Sequence, residues 1–139
     1  MLDPISSPAP SPSAPVGEPA IRTIAMPADA NPAGVIFGGW LMSQMDLAAG
    51  SVAARRARGR CATVRVEGIT FLEPVHIGDE VTLWAELGRV GRTSMTIHVQ
   101  AWRRARDGDA RSRVTEATFV FVALDEHARP RPVDGPETV

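Results

Sequence analysis

Alternating hydrophobic and polar residues fill the second half of the chain and predict four β-strands. The first covers residues 61–72, with Gly68 at a predicted bulge. The others are centred on residues 81–87, 95–102 and 114–124, and short polar turns separate them. Because the connections are short, consecutive strands are expected to pair antiparallel.

The segment before these strands predicts one long helix. Residues 38–58 lack proline and are rich in Leu, Met, Gln and Ala, and a short β-rich segment precedes them at residues 21–26. The arginines within residues 55–58, followed by Gly59, suit a helix C-terminus with a left-handed glycine cap. The helix is apolar nearly all round, which predicts burial. The order β-α-β-β-β-β predicts an α+β fold, a long central helix wrapped by a five-stranded antiparallel sheet.

The 139 residues suffice for one domain. Half of the prolines lie in the first twenty residues, which hold few groups able to fill a core. We therefore expect a disordered Pro/Ser-rich tail at residues 1–20, a folded domain at 21–125 and a loosely held C-terminal tail at 126–139.

Composition excludes several classes of chemistry. The formal charge is −1, so no general attraction to nucleic acid or to a membrane surface is expected. All fifteen basic residues are arginine and tyrosine is absent, which rules out a Schiff-base lysine and a phenolic acid or base. The single Cys61 rules out an internal disulfide and a Cys-rich metal site, and no metal is expected. The absence of a secretory pattern and the lone thiol predict a cytoplasmic protein.

One carboxylate stands out in the predicted helix. Asp46 is the sole charged residue within residues 37–54, and helical spacing places it on one face with Gly39, Ser43 and Gly50. A stripe of small residues beside a carboxylate leaves room for a slender ligand. A second interpretation stays open, in which the small residues only allow close packing and Asp46 is a paired structural acid.

The start of the helix adds two further chemical groups. Gly38 and Gly39 leave bare backbone amides near the positive helix end. Asn31, in the polar loop just upstream, can place a carboxamide close to them. Together with Asp46 these are the parts of an acyl-transfer site: oxyanion donors, a base or nucleophile, and a group that orients water.

Four blocks of sequence resemble a known family. Residues 26–50, MPADANPAGVIFGGWLMSQMDLAAG, are similar to the signature of hotdog-fold acyl-CoA thioesterases, in particular the bacterial YciA-like hydrolases. The resemblance continues through residues 68–79, 91–94 and 114–122, and it covers about residues 21–133.

The resemblance implies an enzyme that hydrolyses acyl-CoA to free fatty acid and coenzyme A, with coenzyme A as part of the substrate and no separate cofactor. It also implies dimers whose sheets run together, often three dimers to a hexamer, with the thioester at the dimer interface near the helix N-terminus. The family's catalytic aspartate and asparagine correspond to Asp46 and Asn31.

The remaining site predictions concern binding. Gly38 and Gly39 are expected to polarise the thioester carbonyl. Candidates for the coenzyme A phosphates are Arg92, Thr93 and Ser94, although a plain hairpin turn with a solvated arginine explains them equally well. Candidates for the acyl pocket are Phe37, Ser43 and Gly50.

Two other functions stay open at this point. A non-catalytic acyl-CoA sensor on the same fold would bind the substrate without releasing thiol. A hotdog dehydratase or hydratase pairs histidine with an acidic residue, and the sequence places no histidine near residues 31–50.

Overall fold

The computed structural model describes residues 13–135, and it contains one long helix and five strands within them. The elements are β1 (Ile21–Ile24), α1 (Gly38–Ala57), β2 (Cys61–Phe71), β3 (Glu80–Val90), β4 (Ser94–Arg104) and β5 (Arg111–Ala123). The predicted element order and fold class are confirmed, with boundaries shifted by a few residues.

The strands form one antiparallel sheet in the order β1-β3-β4-β5-β2. The three consecutive strands β3, β4 and β5 are neighbours, whereas β2 crosses over to pair with β5. The predicted bulge is confirmed, because the register of β2 shifts between Glu67 and Thr70 and Gly68 takes a φ of +68°. This topology leaves β1 and β2 as the two edge strands.

The helix buries one face on the sheet. Its buried side chains follow helical spacing and belong to the core of the domain: Leu41, Met45, Ala48, Ala49, Ala53 and Ala57. On the opposite face Met42 is partly exposed and Leu47 is 61% exposed. The expectation of a helix buried all round is therefore wrong for the single chain, because one sheet covers only one side of a helix.

The helix ends one residue earlier than predicted. Arg58, not Gly59, takes the left-handed conformation, with φ 54°. Gly59 instead leaves room for Arg131, because a Cβ there would lie 2.8 Å from a terminal nitrogen of the guanidinium and would displace it. The glycine thus lets the end of the chain pack onto the helix.

Residues 129–135, here called the C-terminal strap, tie the helix end to the sheet. The Arg131 guanidinium donates hydrogen bonds to the carbonyl oxygens of Ala57 (2.7 Å), Leu124 (3.0 Å) and Pro132 (3.0 Å). Val133 is buried and donates its N–H to the carbonyl of Arg92 at 2.8 Å. The expectation of a loosely held tail is therefore wrong for these residues; the tail's last four residues lie outside the described range.

Arg131→Ala is expected to lower the free energy of unfolding by about 2–3 kcal/mol, because hydrogen bonds from a charged donor to three carbonyl groups are lost. Arg129→Ala is the matched control, since Arg129 is exposed and its side chain makes no hydrogen bond within residues 13–135. Denaturant titration of both variants checks this. Equal stability of the two would show that the strap contributes nothing through Arg131.

The last residues of the predicted N-terminal tail are hydrogen-bonded to the sheet. Residues 1–12 lie outside the described range. Ala20 donates its N–H to the carbonyl of Leu83 at 2.8 Å, and the indole N–H of Trp84 donates to the carbonyl of Gly17 at 3.2 Å. Residues 17–20 therefore lie against β3, and the folded unit begins before the predicted residue 21.

Within residues 13–135, no helix combines the length and the hydropathy needed to cross a membrane.

Candidate active site

Asp46 lies in the middle of α1 and is half-buried. Its Oδ1 accepts a hydrogen bond from the Thr63 hydroxyl of β2 at 2.5 Å. No arginine or histidine within residues 13–135 forms an ion pair with it. The carboxylate is thus oriented by a neutral partner and its charge is available for chemistry, which disfavours the interpretation of Asp46 as an ion-paired structural acid.

Thr63 is a site residue that sequence reasoning missed. It belongs to the edge strand β2, whose register with β5 is irregular directly after Thr63. Alternation alone does not reveal which residue of β2 lies opposite Asp46, since that depends on how the helix is placed on the sheet.

Replacing Thr63 with valine removes the hydroxyl donor at nearly constant volume. Thr63→Val is expected to lower kcat about tenfold or more, with a smaller change in KM, because the carboxylate loses its orienting hydrogen bond. Thr63→Ser keeps the hydroxyl and is expected to restore most of kcat. If serine and valine behave alike in steady-state assays, the hydroxyl does not position Asp46.

The N-terminus of α1 presents unused backbone donors. Phe37 is the N-cap residue and provides no side-chain cap; its own N–H donates to the carbonyl of Asp29 at 3.0 Å. The first N–H group bonded within the helix belongs to Trp40, at 3.1 Å from the Phe37 carbonyl oxygen. The amides of Gly38 and Gly39 therefore have no acceptor among residues 13–135, and a Cβ at Gly39 would meet no atom within 4 Å. These are the donors that an oxyanion requires.

Asn31 shapes the loop before the helix. Its Oδ1 accepts hydrogen bonds from the N–H groups of Ala33 (2.9 Å) and Val35 (3.1 Å). Its Nδ2 group makes no hydrogen bond within the described residues, so it can donate to a water molecule or a substrate. The loop thus fixes the carboxamide while keeping its donor available.

The helix geometry separates the predicted groups within one chain. Asp46 follows Gly38 by eight residues, which corresponds to roughly 12 Å along the helix axis. A base and an oxyanion donor that act on one carbonyl must each lie about 3 Å from the reacting atoms. One chain therefore contains both kinds of predicted group, the oxyanion donors and the carboxylate, but they are too far apart along the helix to act on the same carbonyl.

An apolar cavity of about 460 Å³ opens beside the helix N-terminus. Its lining comes from the helix start, the end of β2, the following turn and β5: Ile36, Phe37, Gly38, Leu41, Phe71, Leu72, Glu73, Pro74, Val75 and Val114. Of the predicted acyl-pocket residues, the cavity includes Phe37 but not Ser43 or Gly50. The Ser43 hydroxyl donates to the Trp40 carbonyl at 2.6 Å, and a Cβ at Gly50 would lie 3.5 Å from the Phe121 ring.

A partly buried ionic network holds the turn that lines this cavity. The carboxylate of Asp79 is nearly inaccessible and accepts hydrogen bonds from Arg103 Nε (2.7 Å) and from the His76 N–H (2.9 Å). Arg103 also reaches Glu73 at 3.1 Å, and the Ser112 hydroxyl donates to the same Glu73 oxygen. The hydrogen bond with Asp79 is the main cause that raises the pKa of Arg103, so its guanidinium stays charged.

The predicted phosphate-binding turn lies at the other end of the helix. The carbonyl oxygens of Arg92 and Thr93 accept hydrogen bonds from Val133 (2.8 Å) and Ala123 (2.9 Å), and that of Ser94 accepts from Gly91 (2.8 Å). The strap joins this turn to the helix C-terminus. The Arg92 side chain is exposed and forms no ion pair within the described residues.

Other candidate chemistry is limited in the described part of the chain. Burial raises the pKa of the Cys61 thiol, which keeps it in the unreactive protonated form. Residues 13–135 contain no group of three or more His, Cys, Asp or Glu side chains able to hold a metal ion.

The sequence matches a described protein family. Residues 33–108 match the family described as the thioesterase superfamily. The chain is 48% identical over 122 residues to the acyl-CoA thioester hydrolase YciA of Salmonella typhimurium, covering 86% of this chain and 92% of that protein.

The fold is similar to solved thioesterase structures. A hexameric thioesterase from Yersinia pestis superposes with a TM-score of 0.82 at 47% identity, covering 88% of this chain and 100% of that chain. A hexameric hotdog-fold thioesterase of Campylobacter jejuni gives a TM-score of 0.79 at 36% identity, covering 84% of this chain and 90% of that chain. The predicted hotdog fold is thereby confirmed.

Proposed function

Since the chain belongs to the thioesterase superfamily, we propose that it hydrolyses acyl-CoA thioesters to free fatty acid and coenzyme A. The observation that carries this proposal is the state of Asp46, a half-buried carboxylate held by the Thr63 hydroxyl and paired with no guanidinium in the described residues. Such a group can accept a proton from water or attack a carbonyl carbon.

The active site forms between two copies of the chain. The separation of roughly 12 Å between Gly38 and Asp46 supports a site whose oxyanion donor and carboxylate come from different protomers. The edge strand β2 supports this arrangement, because its outer side is unpaired in the single chain and it exposes Val64 and Val66. Pairing of two such edges gives a dimer, and three dimers give a hexamer like those of the similar solved structures.

In the reaction, the free amides of Gly38 and Gly39 stabilise the negative charge that develops on the thioester oxygen. Asp46 of the facing protomer takes a proton from water as the water oxygen bonds to the carbonyl carbon, and Asn31 Nδ2 holds that water. The carbon–sulfur bond then breaks, and the proton passes from Asp46 to the sulfur of coenzyme A. The site needs no cofactor beyond the coenzyme A of the substrate.

A second chemistry fits the same geometry. Asp46 attacks the thioester carbon directly, coenzyme A leaves, and water hydrolyses the resulting mixed anhydride. A single turnover in ¹⁸O-labelled water tests for the anhydride. Label in the Asp46 carboxylate shows the anhydride route, with water attacking the aspartyl carbon. Label found only in the fatty acid arises from direct attack by water or from attack of water on the acyl carbon of the anhydride, and mass spectrometry of acid-quenched protein then detects the acyl–Asp46 adduct if it forms.

The coenzyme A phosphates are assigned to the turn of Arg92, Thr93 and Ser94. The exposed Arg92 guanidinium has no carboxylate partner in the described residues, so its charge is available to a phosphate. We propose that the protein acts in the cytoplasm, in fatty acid metabolism, which the proposed acyl-CoA substrates and the lone thiol support.

A hydratase is disfavoured by the geometry around His76. The structure does bring this histidine near the loop, since its backbone pairs with Val35. Its ring, however, contacts no acidic side chain within residues 13–135, and a hydratase needs that pair.

A thiol-release assay with the purified full-length protein and several acyl-CoAs tests the proposed function. Thiol released in proportion to enzyme, with multiple turnovers, is expected. Saturable acyl-CoA binding without thiol release would instead show the sensor function.

A further inference from the structure

The residues that line the cavity beside the helix N-terminus range from half exposed to almost fully buried. Phe37, Phe71 and Leu72 at its mouth are each about half exposed. Leu41 and Val114, by contrast, are almost fully buried and close the inner end. A volume of about 460 Å³ lies in the range of sites that enclose a small ligand, roughly 300–1,000 Å³.

Gly38 connects this cavity to the proposed chemistry, because it lines the cavity and also carries one of the unused amides. A thioester whose oxygen meets that amide has two substituents on its carbonyl carbon. The sulfur side leads to the charged coenzyme A, which an apolar cavity does not accommodate. The acyl side is apolar and is the substituent that the cavity fits.

The walls of the cavity are held in place. The Leu72 N–H donates to the Val114 carbonyl at 2.7 Å, which fixes the end of β2 against β5. Glu73 is the one charged residue that lines this cavity in the described part of the chain, and it is hydrogen-bonded to Arg103 and Ser112. The cavity is thus a shaped apolar space and not a gap that collapses freely around any ligand.

Resting on the proposed function, we infer that this cavity holds the acyl chain and that Val114 at its inner end limits the length of chain accepted. Short acyl groups fill only part of the volume of about 460 Å³ and can be held without pressing on the buried Val114. Long acyl groups extend to Val114, so its size decides whether they fit.

The test compares butyryl-CoA with dodecanoyl-CoA as substrates of full-length Val114→Leu and Val114→Ala. In the leucine variant, kcat/KM for the long substrate is expected to fall at least tenfold while that for the short one changes little, the effect of about one methylene in a closed pocket. The alanine variant is expected to shift the preference towards the long substrate. Val99→Ala is the matched control, a buried valine in β4 away from the cavity.

The same comparison is repeated as binding, with non-hydrolysable thioether analogues of the two substrates and calorimetry. A loss of long-chain binding in Val114→Leu supports the cavity even if the protein releases no thiol, so this inference and the proposed function fail separately. If both Val114 variants keep the wild-type ratio of long- to short-chain binding, or change it no more than Val99→Ala does, the assignment of the acyl chain to this cavity is overturned.

Discussion

Asp46→Asn is expected to lower the rate of thioester hydrolysis by about 10²–10⁴-fold while leaving the protein folded. Asparagine has the same shape and can still accept the hydrogen bond from Thr63, but it cannot take a proton from water or attack the carbonyl carbon. Steady-state thiol release measures the loss, and thermal unfolding measures the fold.

Asp109→Asn is the control for this substitution. It removes an exposed carboxylate in the turn between β4 and β5 that forms no ion pair within residues 13–135, so it changes the net charge equally without altering the helix or the edge strand β2. The control is expected to retain wild-type turnover. Near-normal turnover in Asp46→Asn itself would show that Asp46 is neither base nor nucleophile.

Gly38→Pro is expected to reduce kcat about 10²–10³-fold relative to Gly38→Ala, because proline removes the backbone N–H that binds the oxyanion. The helix tolerates proline here, since this is its first residue and that N–H has no acceptor in the described structure. The preceding Phe37 has ψ 134°, the extended conformation that proline requires of its neighbour.

Alanine at the same position is a matched comparison. Both variants add a Cβ that approaches the exposed Phe71 ring at about 3.3 Å, so they share the steric cost of that atom. Proline adds its ring carbons Cγ and Cδ in place of the donor. Circular dichroism confirms that the helix remains. Equal kcat for the two variants would remove the Gly38 amide from the oxyanion site.

The sequence was sufficient to predict most of the fold because its signals are local. Alternation along residues 61–72 and 114–124 predicts strands, and the proline-free segment 38–58 predicts the helix. The order of strands was not predictable, since the pairing of β2 with β5 depends on long-range contacts. The C-terminal strap was missed for the same reason. In the sequence Arg131 has the features of an ordinary loop arginine, and only the structure brings it to the end of the helix.

The residues of the candidate site were likewise predictable only where the signal is local in sequence. Asp46 and the two glycines were visible because a lone carboxylate and a paired glycine are unusual in a long apolar helix. Thr63 was not visible, because nothing in β2 indicates which threonine lies opposite the carboxylate. Ser43 and Gly50 share a helix face with Asp46, but a helix face does not reveal where a cavity opens.

In the proposed dimer, Gly38 and Asp46 of one chain belong to two different active centres. Mixing two inactive variants, one changed at each position, is therefore expected to restore activity. Asp46→Asn keeps its oxyanion amide and Gly38→Pro keeps its carboxylate, so a mixed pair contains one intact centre and one doubly damaged centre. Random reassociation of equal amounts makes half of the pairs mixed, and activity should return to about a quarter of the wild-type value. Complementation of this kind has no counterpart in an enzyme whose catalytic groups all reside on one polypeptide.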